Sequence, residues 1–371
     1  MNPFANVKKK LGLGCMRLPV RDGQPDYDQI NQMVDRFMAA GFCYFDTAHG
    51  YMDGNSEVVV RRCLTSRYPR DSYILANKLS CNHFEKQEDI RPLFESQLAI
   101  CGVDYFDFYL MHAQDRELFE KYKKCRAYET ALQLKEEGKI KHFGISFHDN
   151  AATLEQILTA YPQIEVVQLQ LNYVDFDDPS VQSRKCLEVC RRYGKPVIVM
   201  EPVKGGSLVN LPEEAQRVFD RQGGGSNASY AIRFAASQQG VAMVLSGMGD
   251  MQMIEDNCGY MKDFRPLDAQ EQAAVDAVCE IFRQLGTVPC TACRYCAGVC
   301  PQGIAIAEFF ACLNARKLFQ NWNSKFYYEQ AQLSSGKSAK DCVGCGACEE
   351  ICPQHLQIRQ LLQQVSVEFD G

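Results

Sequence analysis

The feature of this sequence that most constrains its fold is a cysteine motif that occurs twice near the C-terminus. The segments TVPCTACRYCAGVCP (287–301) and DCVGCGACEEICP (341–353) each space four cysteines as C-x-x-C-x-x-C-x-x-x-C, and a proline follows the last one. Three thiolates two residues apart can hold one face of a cuboidal iron–sulfur cluster, and the displaced fourth thiolate binds the other cluster in two-cluster proteins. The repeated motif therefore predicts two 4Fe–4S clusters.

Because the fourth cysteine of each motif reaches the other cluster, the predicted ligand sets cross between the two motifs. The first cluster takes Cys290, Cys293, Cys296 and Cys352, and the second takes Cys342, Cys345, Cys348 and Cys300. Zinc is the alternative, although it favours paired C-x-x-C units and four ligands per ion. Two roles are open for the clusters, which could relay electrons or only crosslink their domain.

The part of the chain before these motifs alternates between apolar, β-rich runs and amphipathic stretches of helical period. The predicted strands are LGLGCMRL (11–18), CYFDT (43–47), YILANK (73–78), FDFYLMH (106–112), IKHFGIS (140–146), VVQLQLN (166–172), PVIVMEP (196–202) and VAMVLSGM (241–248). The predicted helices between them include Tyr27–Ala40, Glu88–Cys101, Phe119–Glu137, Ala151–Tyr161 and Pro179–Tyr193. Eight such units over about 250 residues predict an α/β fold of the (β/α)8 TIM barrel type. An open doubly wound sheet is the alternative, but no G-x-G-x-x-G follows an early strand.

The predicted domains are a barrel over residues 1–265, a connecting helix over 266–286, and a small ferredoxin-like domain over 287–371 that holds the two clusters. Forty-one residues separate Cys300 from Cys342, which indicates a mainly α-helical ferredoxin-like domain. The net charge of -6 argues against a nucleic-acid or membrane partner. The N-terminus lacks the apolar core of a signal peptide, so we expect a cytoplasmic protein whose nineteen cysteines are thiols or metal ligands.

Three chemically active side chains lie where predicted barrel strands end. Asp46, Lys78 and His112 close the second, third and fourth strands, and Tyr51 follows five residues after Asp46. Barrel active sites are built at the C-terminal ends of the strands, so we expect these side chains to converge. A lysine cation lowers the pKa of a nearby phenol, and an imidazole can hydrogen-bond a substrate carbonyl. The set predicts a site that protonates a carbonyl oxygen, whereas a structural Asp–Lys pair is the alternative.

With these residues in place, the sequence resembles the aldo-keto reductase superfamily over about residues 8–260. Asp46, Tyr51, Lys78 and His112 match that family's Asp–Tyr–Lys–His tetrad one for one. The C-terminal motifs make the chain similar to the bacterial and archaeal subgroup that carries a two-cluster 4Fe–4S domain. The resemblance implies a nicotinamide dinucleotide, NAD(H) or NADP(H), as the cofactor and tyrosine as the general acid.

The loops after the predicted strands supply candidate cofactor-binding residues. Glycines in EPVKGGSL (201–208) and SGMGDMQMIEDN (246–257) allow close backbone approach, and a helix that begins near Asp250 offers N–H groups to an anion. The resemblance implies that Ser146 and Gln168 hold the nicotinamide amide and that Ser246, Glu255 and Asn257 lie near the pyrophosphate and adenine. The full predicted set is Ser146, Gln168, Met200, Pro202, Gly205, Ser246, Gly247, Met248, Glu255 and Asn257.

The sequence departs from the family pattern at three positions. Phe147 follows Ser146 where the family has asparagine, and Met200 stands in the place of a tyrosine that often stacks on the nicotinamide. Met253 stands where an arginine commonly binds the 2′-phosphate, so we expect a slight preference for NADH, with Lys204 as an alternative cation.

Three functions are compatible with the sequence. The first is an oxidoreductase that uses NAD(P)(H) to reduce a small-molecule carbonyl or to oxidise an alcohol, with Tyr51 as general acid or base. The second is a ferredoxin-linked oxidoreductase that needs a flavin or a redox partner protein, because clusters carry single electrons. The third is a non-enzymatic redox sensor or electron carrier, against which the complete tetrad argues.

Overall fold

The computed structural model describes residues 3–5, 7, 9–178, 181–288, 290, 294–319, 323–352 and 356–371. The chain divides into two compact units. The first comprises Met1–Phe176, Val181–Gly205 and Gly225–Gln272, and the second comprises Asp177–Ser180, Gly206–Gly224 and Ala273–Gly371. Of the sites predicted above, Cys293 lies outside the described residues. The predicted division at residues 265 and 286 stays a prediction.

The first unit is a closed barrel of eight parallel strands, as predicted. The strands are β1 Leu11–Gly14, β2 Tyr44–Asp46, β3 Ile74–Leu79, β4 Phe106–Gln114, β5 Ile140–Phe147, β6 Val166–Gln170, β7 Val197–Met200 and β8 Val241–Ser246. Each strand pairs with the next, and β8 pairs with β1 through Val244 and Leu11. A short antiparallel hairpin, Val20–Arg21 with Gln24–Pro25, follows β1. The predicted strands were right in number and order, but several end earlier than the apolar runs suggested.

The helices alternate with the strands along the first unit and dominate the second. Their bounds are α1 Tyr27–Ala39, α2 Ser56–Val60, α3 Gln87–Cys101, α4 Arg116–Lys124, α5 Ala127–Glu136, α6 Ala151–Ala160, α7 Ser183–Arg192, α8 Glu213–Asp220, α9 Asn227–Ser237, α10 Met251–Lys262, α11 Ala269–Gln284, α12 Tyr295–Val299, α13 Ile306–Phe319, α14 Asn323–Ser335, α15 Ala347–Glu350 and α16 Ile358–Phe369. A π-helical turn, Arg61–Thr65, extends α2. The short 3-10 turns are Arg70–Ser72, Cys81–His83, Lys204–Gly206 and Ala339–Asp341.

Two predicted helices differ from the observed ones. The stretch Phe119–Glu137 is two helices, α4 and α5, because Arg126 adopts a left-handed φ of 51° that an α-helix does not tolerate. Likewise, α7 begins at Ser183, after Gln182 at a φ of 54°, and the predicted start at Pro179 lies outside the described residues.

The barrel interior is filled by apolar side chains from strands β2, β3, β4, β6, β7 and β8, and a packed interior is usual for this architecture. The ring of Phe4 closes one end of this core and stacks 5.0 Å from Phe108. Gly144 leaves room for strand β6, because a Cβ at this position would lie 2.5 Å from the backbone oxygen of Val166. The barrel therefore needs glycine at this one inward position of β5.

The second unit is mainly α-helical in its described part, as predicted. Its core is built around Phe309, Phe310 and Tyr328, which are almost fully buried, and the C-terminal helix α16 packs into it. Cys296 and Cys348 belong to the same core, and Cys290, Cys300, Cys342 and Cys352 pack against it. Six of the eight motif cysteines therefore belong to this apolar core or pack against it.

Most of the eleven cysteines outside the two motifs are buried thiols. Nine of them are buried, and Cys43 and Cys81 are partly exposed. Burial raises the pKa of Cys15 and of Cys186 to about 12, so both stay protonated at neutral pH. Within the described residues, no helix is long and apolar enough to cross a membrane.

Candidate active site

Asp46 and Lys78 form a buried ion pair where strands β2 and β3 end. Lys78 Nζ lies 2.5 Å from Asp46 Oδ1 and donates a second hydrogen bond to the Thr47 carbonyl oxygen at 2.9 Å. Both side chains are almost fully buried, at 1% and 4% exposure. Burial lowers the pKa of Lys78, but Asp46 and Tyr51 raise it by more, so that the net shift is upward. Lys78 is therefore held as a fixed cation.

Tyr51 lies beside this cation, on the loop between β2 and α2. Lys78 Nζ stands 4.7 Å from the centre of the Tyr51 ring, and that ring lies edge-on to His112 with the centroids 5.9 Å apart. Burial raises the pKa of Tyr51, and Lys78 opposes this rise without cancelling it. The expectation that lysine would bring the pKa of the phenol below its usual value was wrong, because desolvation outweighs the cation. Tyr51 therefore keeps its proton at neutral pH.

His112 is aimed by an irregularity in strand β4. The pairing of β4 with β5 shifts between Met111 and Gln114, and Ala113 adopts a left-handed φ of 55°. Such bulges redirect side chains and are common beside active sites. His112 Nδ1 lies 2.6 Å from Ser80 Oγ, a partner that the sequence analysis missed. Burial, helped by Lys78, lowers the pKa of His112 to about 3, so the imidazole is neutral at pH 7.

A buried polar network behind Lys78 was also missed by the sequence analysis. Glu57 on α2 is fully buried and accepts hydrogen bonds from Asn77 Nδ2 at 2.8 Å and Gln97 Nε2 at 3.0 Å. His49 Nδ1 lies 2.7 Å from the same carboxylate, and Gln97 also donates to the Lys78 carbonyl oxygen. The network fixes the strand that carries Lys78. A signal for it was present in the sequence, because Glu57 shares a helix face with the buried Val60.

Ser146 and Gln168 are neighbours on β5 and β6, and their Cα positions pair directly. The Ser146 hydroxyl accepts a hydrogen bond from the Ala113 backbone at 2.7 Å. Gln168 Oε1 is buried, and no hydrogen-bond partner for it exists among the described residues. The Gln168 amide and Lys78 both oppose the rise that burial causes in the pKa of Asp46, which places Gln168 beside the ion pair. An unsatisfied buried acceptor is costly, and it suits a ligand that brings an N–H group.

Several polar groups of the loop after β8 that the sequence suggested as cofactor ligands already have hydrogen-bond partners within the chain. The Asp250 carboxylate caps α10 by accepting from the Met253 backbone at 2.8 Å, so one of the N–H groups expected to bind an anion is already used. Ser246 Oγ accepts from Asn257 Nδ2 at 2.8 Å, and both side chains are buried. Gly247 is exposed and Met248 is fully buried.

Two charged residues of the predicted cofactor region are bound to partners. Glu255 forms a bidentate pair with Arg36, at 2.6 and 2.7 Å. Lys204 is bound to both oxygens of the buried Asp175, at 2.6 and 2.7 Å. The alternative in which Lys204 supplies the phosphate-binding cation is therefore weakened, because its charge already compensates a buried carboxylate.

Arg17 is a cation at the same rim that the sequence analysis missed. Its Nη1 lies 3.4 Å from the carbonyl oxygen of Gly205, and its Nη2 lies 3.9 Å from Glu201. A Cβ on Gly247 would approach the Arg17 side chain to 3.4 Å. These contacts place Arg17 between the glycines that follow β7 and β8. Its side chain is 45% exposed to solvent. Met200 and Pro202 flank Glu201 in the sequence on this loop.

In the second unit, four motif cysteines surround one cavity. A small cavity is lined by Cys300, Cys342, Cys345 and Cys348, together with Gln302, Arg359 and apolar residues. Gly344 and Gly346, at φ of 71° and 82°, let the second motif wrap around it. Within the described part of the chain, no three Cys, His, Asp or Glu side chains converge closely enough to ligate a single ion. The lining of the cavity combines one thiol from the first motif with three from the second.

Comparison with known proteins finds two families that match successive parts of the chain. Residues 10–280 match the profile of the aldo/keto reductase family, and residues 289–357 match a 4Fe-4S dicluster domain. The NADH-specific methylglyoxal reductase of Escherichia coli is 26% identical over 219 residues, which cover 54% of this chain and 65% of that protein. An uncharacterized oxidoreductase of Bacillus subtilis is 31% identical over 204 residues, covering 54% of this chain and 66% of its own length. An aldo-keto reductase of Klebsiella pneumoniae, solved with NADPH, shares the fold at a TM-score of 0.58 and 19% identity, covering 72% of this chain and 90% of that one.

Proposed function

The chain belongs to the aldo/keto reductase family, and from this premise we propose that its barrel reduces a carbonyl group, or oxidises the matching alcohol, with a nicotinamide dinucleotide. The observation that carries the proposal is the grouping of Tyr51, Lys78 and His112 at one end of the barrel, with Tyr51 protonated and His112 neutral. A reduced nicotinamide, when bound, supplies a hydride. The residues of the chain supply the proton and hold the oxygen that receives it.

With a nicotinamide dinucleotide bound, Tyr51 would donate its proton to the carbonyl oxygen of the substrate, so that the reduced carbonyl leaves as an alcohol. Lys78 stabilises the phenolate that remains, since a fixed cation favours the charged form. Asp46 keeps Lys78 charged and in place through the 2.5 Å contact. Tyr51 then regains a proton from solvent, and in alcohol oxidation the same steps run in reverse.

His112 orients the carbonyl. With Ser80 Oγ donating to Nδ1, the neutral ring carries its proton on Nε2 and donates from there to the substrate oxygen. A neutral donor does not compete with Tyr51 for the role of acid. The bulge in β4 fixes the direction from which this hydrogen bond comes.

The residues present fit a nicotinamide dinucleotide. The orphaned Gln168 Oε1 suits the amide N–H of nicotinamide, and Ser146 stands beside it. Arg17 lies between the glycine loops, where it would neutralise the pyrophosphate, in company with Gly205 and Gly247. Of the other predicted residues, Met200, Pro202, Ser246, Met248, Glu255 and Asn257 stay predictions.

We keep the preference for NADH as part of the proposal. Met253, at the position where the family commonly has arginine, is 46% exposed and offers no charge, and Lys204 is held by Asp175. The Escherichia coli relative is named for NADH, whereas the Klebsiella protein was solved with NADPH. Steady-state kinetics with both cofactors decide between them, and a higher kcat/KM with NADPH would refute the preference.

For the second unit we propose two 4Fe–4S clusters, one held by Cys290, Cys293, Cys296 and Cys352 and the other by Cys342, Cys345, Cys348 and Cys300. The cavity lined by the last four thiols supports the second set, including the crossover of Cys300. Anaerobic purification followed by iron and sulfide quantitation tests the count, for which eight of each per chain are expected.

The dicluster domain also favours a second candidate, in which the clusters pass single electrons to or from the barrel or a redox partner protein. Nicotinamide exchanges electron pairs as hydride, so this function calls for a flavin or a partner. The visible spectrum of the anaerobic protein separates the two candidates, because flavin bands would favour electron transfer.

The central experiment removes the Tyr51 hydroxyl. Tyr51→Phe keeps the ring, and we expect kcat/KM for NADH-dependent reduction of methylglyoxal and other small aldehydes to fall about 10²- to 10⁴-fold. Tyr44→Phe is the matched control, because the Tyr44 hydroxyl is buried with no hydrogen-bond partner among the described residues. Full activity in Tyr51→Phe would end the proposal.

A further inference from the structure

The cavity of the second unit has a charged wall. Its lining consists of four thiols, apolar residues, Gln302 and Arg359, and Arg359 comes from the first turn of α16. Arg359 Nη1 lies 3.5 Å from the carbonyl oxygen of Gly344, in the middle of the second cysteine motif. Its Cζ would lie 3.8 Å from a Cβ placed on Gly346. The cation is thus set against the loop that carries three of the four cavity thiols.

Glu349 holds Arg359 in this position. The carboxylate accepts hydrogen bonds from Arg359 Nε at 2.9 Å and Nη2 at 2.8 Å. It also accepts from the Arg359 backbone N–H at 2.8 Å, which ties α15 to the start of α16. The fork geometry leaves Nη1 directed toward the motif.

Reduction of an iron–sulfur cluster adds one electron and therefore one negative charge. Cluster potentials depend on net charge, hydrogen bonds to sulfur and solvent exposure. A nearby cation stabilises the reduced form and raises the potential, whereas a nearby carboxylate lowers it. Arg359 lines the cavity itself, and Glu349 follows the cavity-lining Cys348 in the chain. The two charges therefore act on the same cluster with opposite signs.

We propose that Arg359 raises the reduction potential of the cluster held by Cys300, Cys342, Cys345 and Cys348, and that Glu349 positions Arg359 while opposing its effect. The inference rests on the proposed cluster assignment. Arg359 is a positioning and tuning residue rather than a ligand. Because the Arg359 side chain is 51% exposed, solvent screens part of its charge.

The test is a redox titration of the full chain, purified anaerobically and followed by electron paramagnetic resonance. In Arg359→Gln we expect one of two midpoint potentials to fall. At a fixed potential, the ratio of reduced to oxidised cluster should decrease by up to about tenfold, which corresponds to about 59 mV for a one-electron couple. In Glu349→Gln, which keeps an acceptor oxygen for Arg359, we expect the same midpoint to rise. The other midpoint should stay unchanged in both variants.

Two further variants separate charge from structure. Arg359→Lys keeps the cation without the fork, so its midpoint should lie between those of wild type and Arg359→Gln. Arg316→Gln is the matched control, because it breaks an Arg–Glu pair with Glu368 on the same helix α16, and neither residue lines the cavity. We expect no change in either midpoint in Arg316→Gln.

A purely structural effect would come from weakening the same Arg359–Glu349 contact in both variants, so it would shift the midpoint in the same direction in Arg359→Gln and Glu349→Gln, whereas an effect of charge shifts it in opposite directions. Shifts in the same direction, or unchanged midpoints with full iron content, would overturn the inference. If Arg359→Gln loses iron, the midpoint potential of Glu349→Gln provides the test. A midpoint that does not rise in Glu349→Gln would overturn the inference as well. Wild-type protein without iron and sulfide would instead contradict the cluster assignment itself.

Discussion

The two ends of the barrel each contain a buried aspartate bound to lysine, and they differ in how completely that aspartate is satisfied. At the N-terminal end of β4, Asp107 accepts from Leu75 N at 2.9 Å, Arg70 Nη2 at 2.7 Å and Lys141 Nζ at 3.1 Å. At the C-terminal end, Asp46 Oδ1 accepts from Lys78, and Oδ2 has no hydrogen-bond partner among the described residues.

The difference shows which end is organised for stability and which for chemistry. A buried polar group without a partner costs about 1 to 3 kcal/mol, and such groups call for an explanation in ligand binding or catalysis. Asp46 Oδ2 and Gln168 Oε1 are both unsatisfied within the described residues and both lie toward the C-terminal end. Buried polar atoms without a partner among the described residues occur toward both ends, since the Tyr44 hydroxyl and Arg70 Nε belong to this group, but the open acceptor oxygens of Asp46 and Gln168 lie where the proposed substrate and cofactor bind.

The largest expected effect comes from removing the lysine at each end. Lys78→Met should lower kcat about 10²- to 10⁴-fold, because the phenolate of Tyr51 loses its cation. Lys141→Met, at the other end, should leave kcat within about twofold, since Lys141 is half-exposed and Asp107 keeps Arg70. Equal losses of kcat in the two variants, measured with NADH and methylglyoxal, would break the distinction between the ends.

The next largest effect is expected at the N-terminal end of the barrel, where a substitution should lower stability and leave kcat unchanged. Asp107→Asn removes the negative charge that holds Arg70 and Lys141, and we expect the free energy of unfolding to fall by about 2 to 4 kcal/mol. The kcat of the folded fraction should not change. Urea unfolding of the full chain, followed by circular dichroism, and an activity assay at low denaturant check the two statements, and an unaffected unfolding midpoint would contradict the first.

A smaller effect is expected at the rim between the glycine loops. Arg17→Gln should raise the Kd of NADH about tenfold, which is about 1.4 kcal/mol, because the pyrophosphate loses a cation. Glu201→Gln should lower the Kd by a few fold, since it removes a carboxylate that competes for Arg17. ADP-ribose, which contains the pyrophosphate, should follow the same order, whereas nicotinamide mononucleotide should respond little. Parallel changes in both variants would indicate a structural contact instead.

The smallest effect concerns pH, because we expect kcat/KM for carbonyl reduction to stay constant over a wide range. Carbonyl reduction needs the protonated Tyr51, so activity persists below the pKa of this phenol and is lost above it. Because burial raises that pKa from the usual value near 10, and the pKa of His112 is about 3, kcat/KM should stay level from about pH 5 to pH 9. An inflection near pH 6.5 that disappears in His112→Gln would contradict the neutral role of His112.

The fold could be predicted because a strand that is buried on both faces reads as an uninterrupted apolar run, and eight such runs admit few arrangements. Strand ends were less predictable, since LGLGCMRL continues as an apolar run after β1 has ended at Gly14. The sequence at the break between α4 and α5 contains no glycine or proline, so it gives no signal that the helix ends there. The break depends on the left-handed φ of Arg126, which tertiary packing imposes on an ordinary residue.

The candidate site was predictable where position along a strand determines position in space. Asp46 and Lys78 lie at strand ends, and strand register alone brings their backbones together. The contributions of Ser80 and Arg17 were not predictable, because they depend on which way loop side chains point across the barrel rim. The upward shift in the pKa of Tyr51 was missed for a related reason, since it is set by how much solvent the surrounding loops exclude.

The hidden thiols of the barrel bear on how iron reaches this protein. Metal centres bind thiolate, and Cys15 and Cys186 are kept as thiols out of reach of solvent once the barrel is closed. An unfolded chain would instead offer all nineteen cysteines to incoming iron and sulfide. Productive loading of the C-terminal unit therefore favours an order of maturation in which the barrel closes first and withdraws its own thiols from the competition.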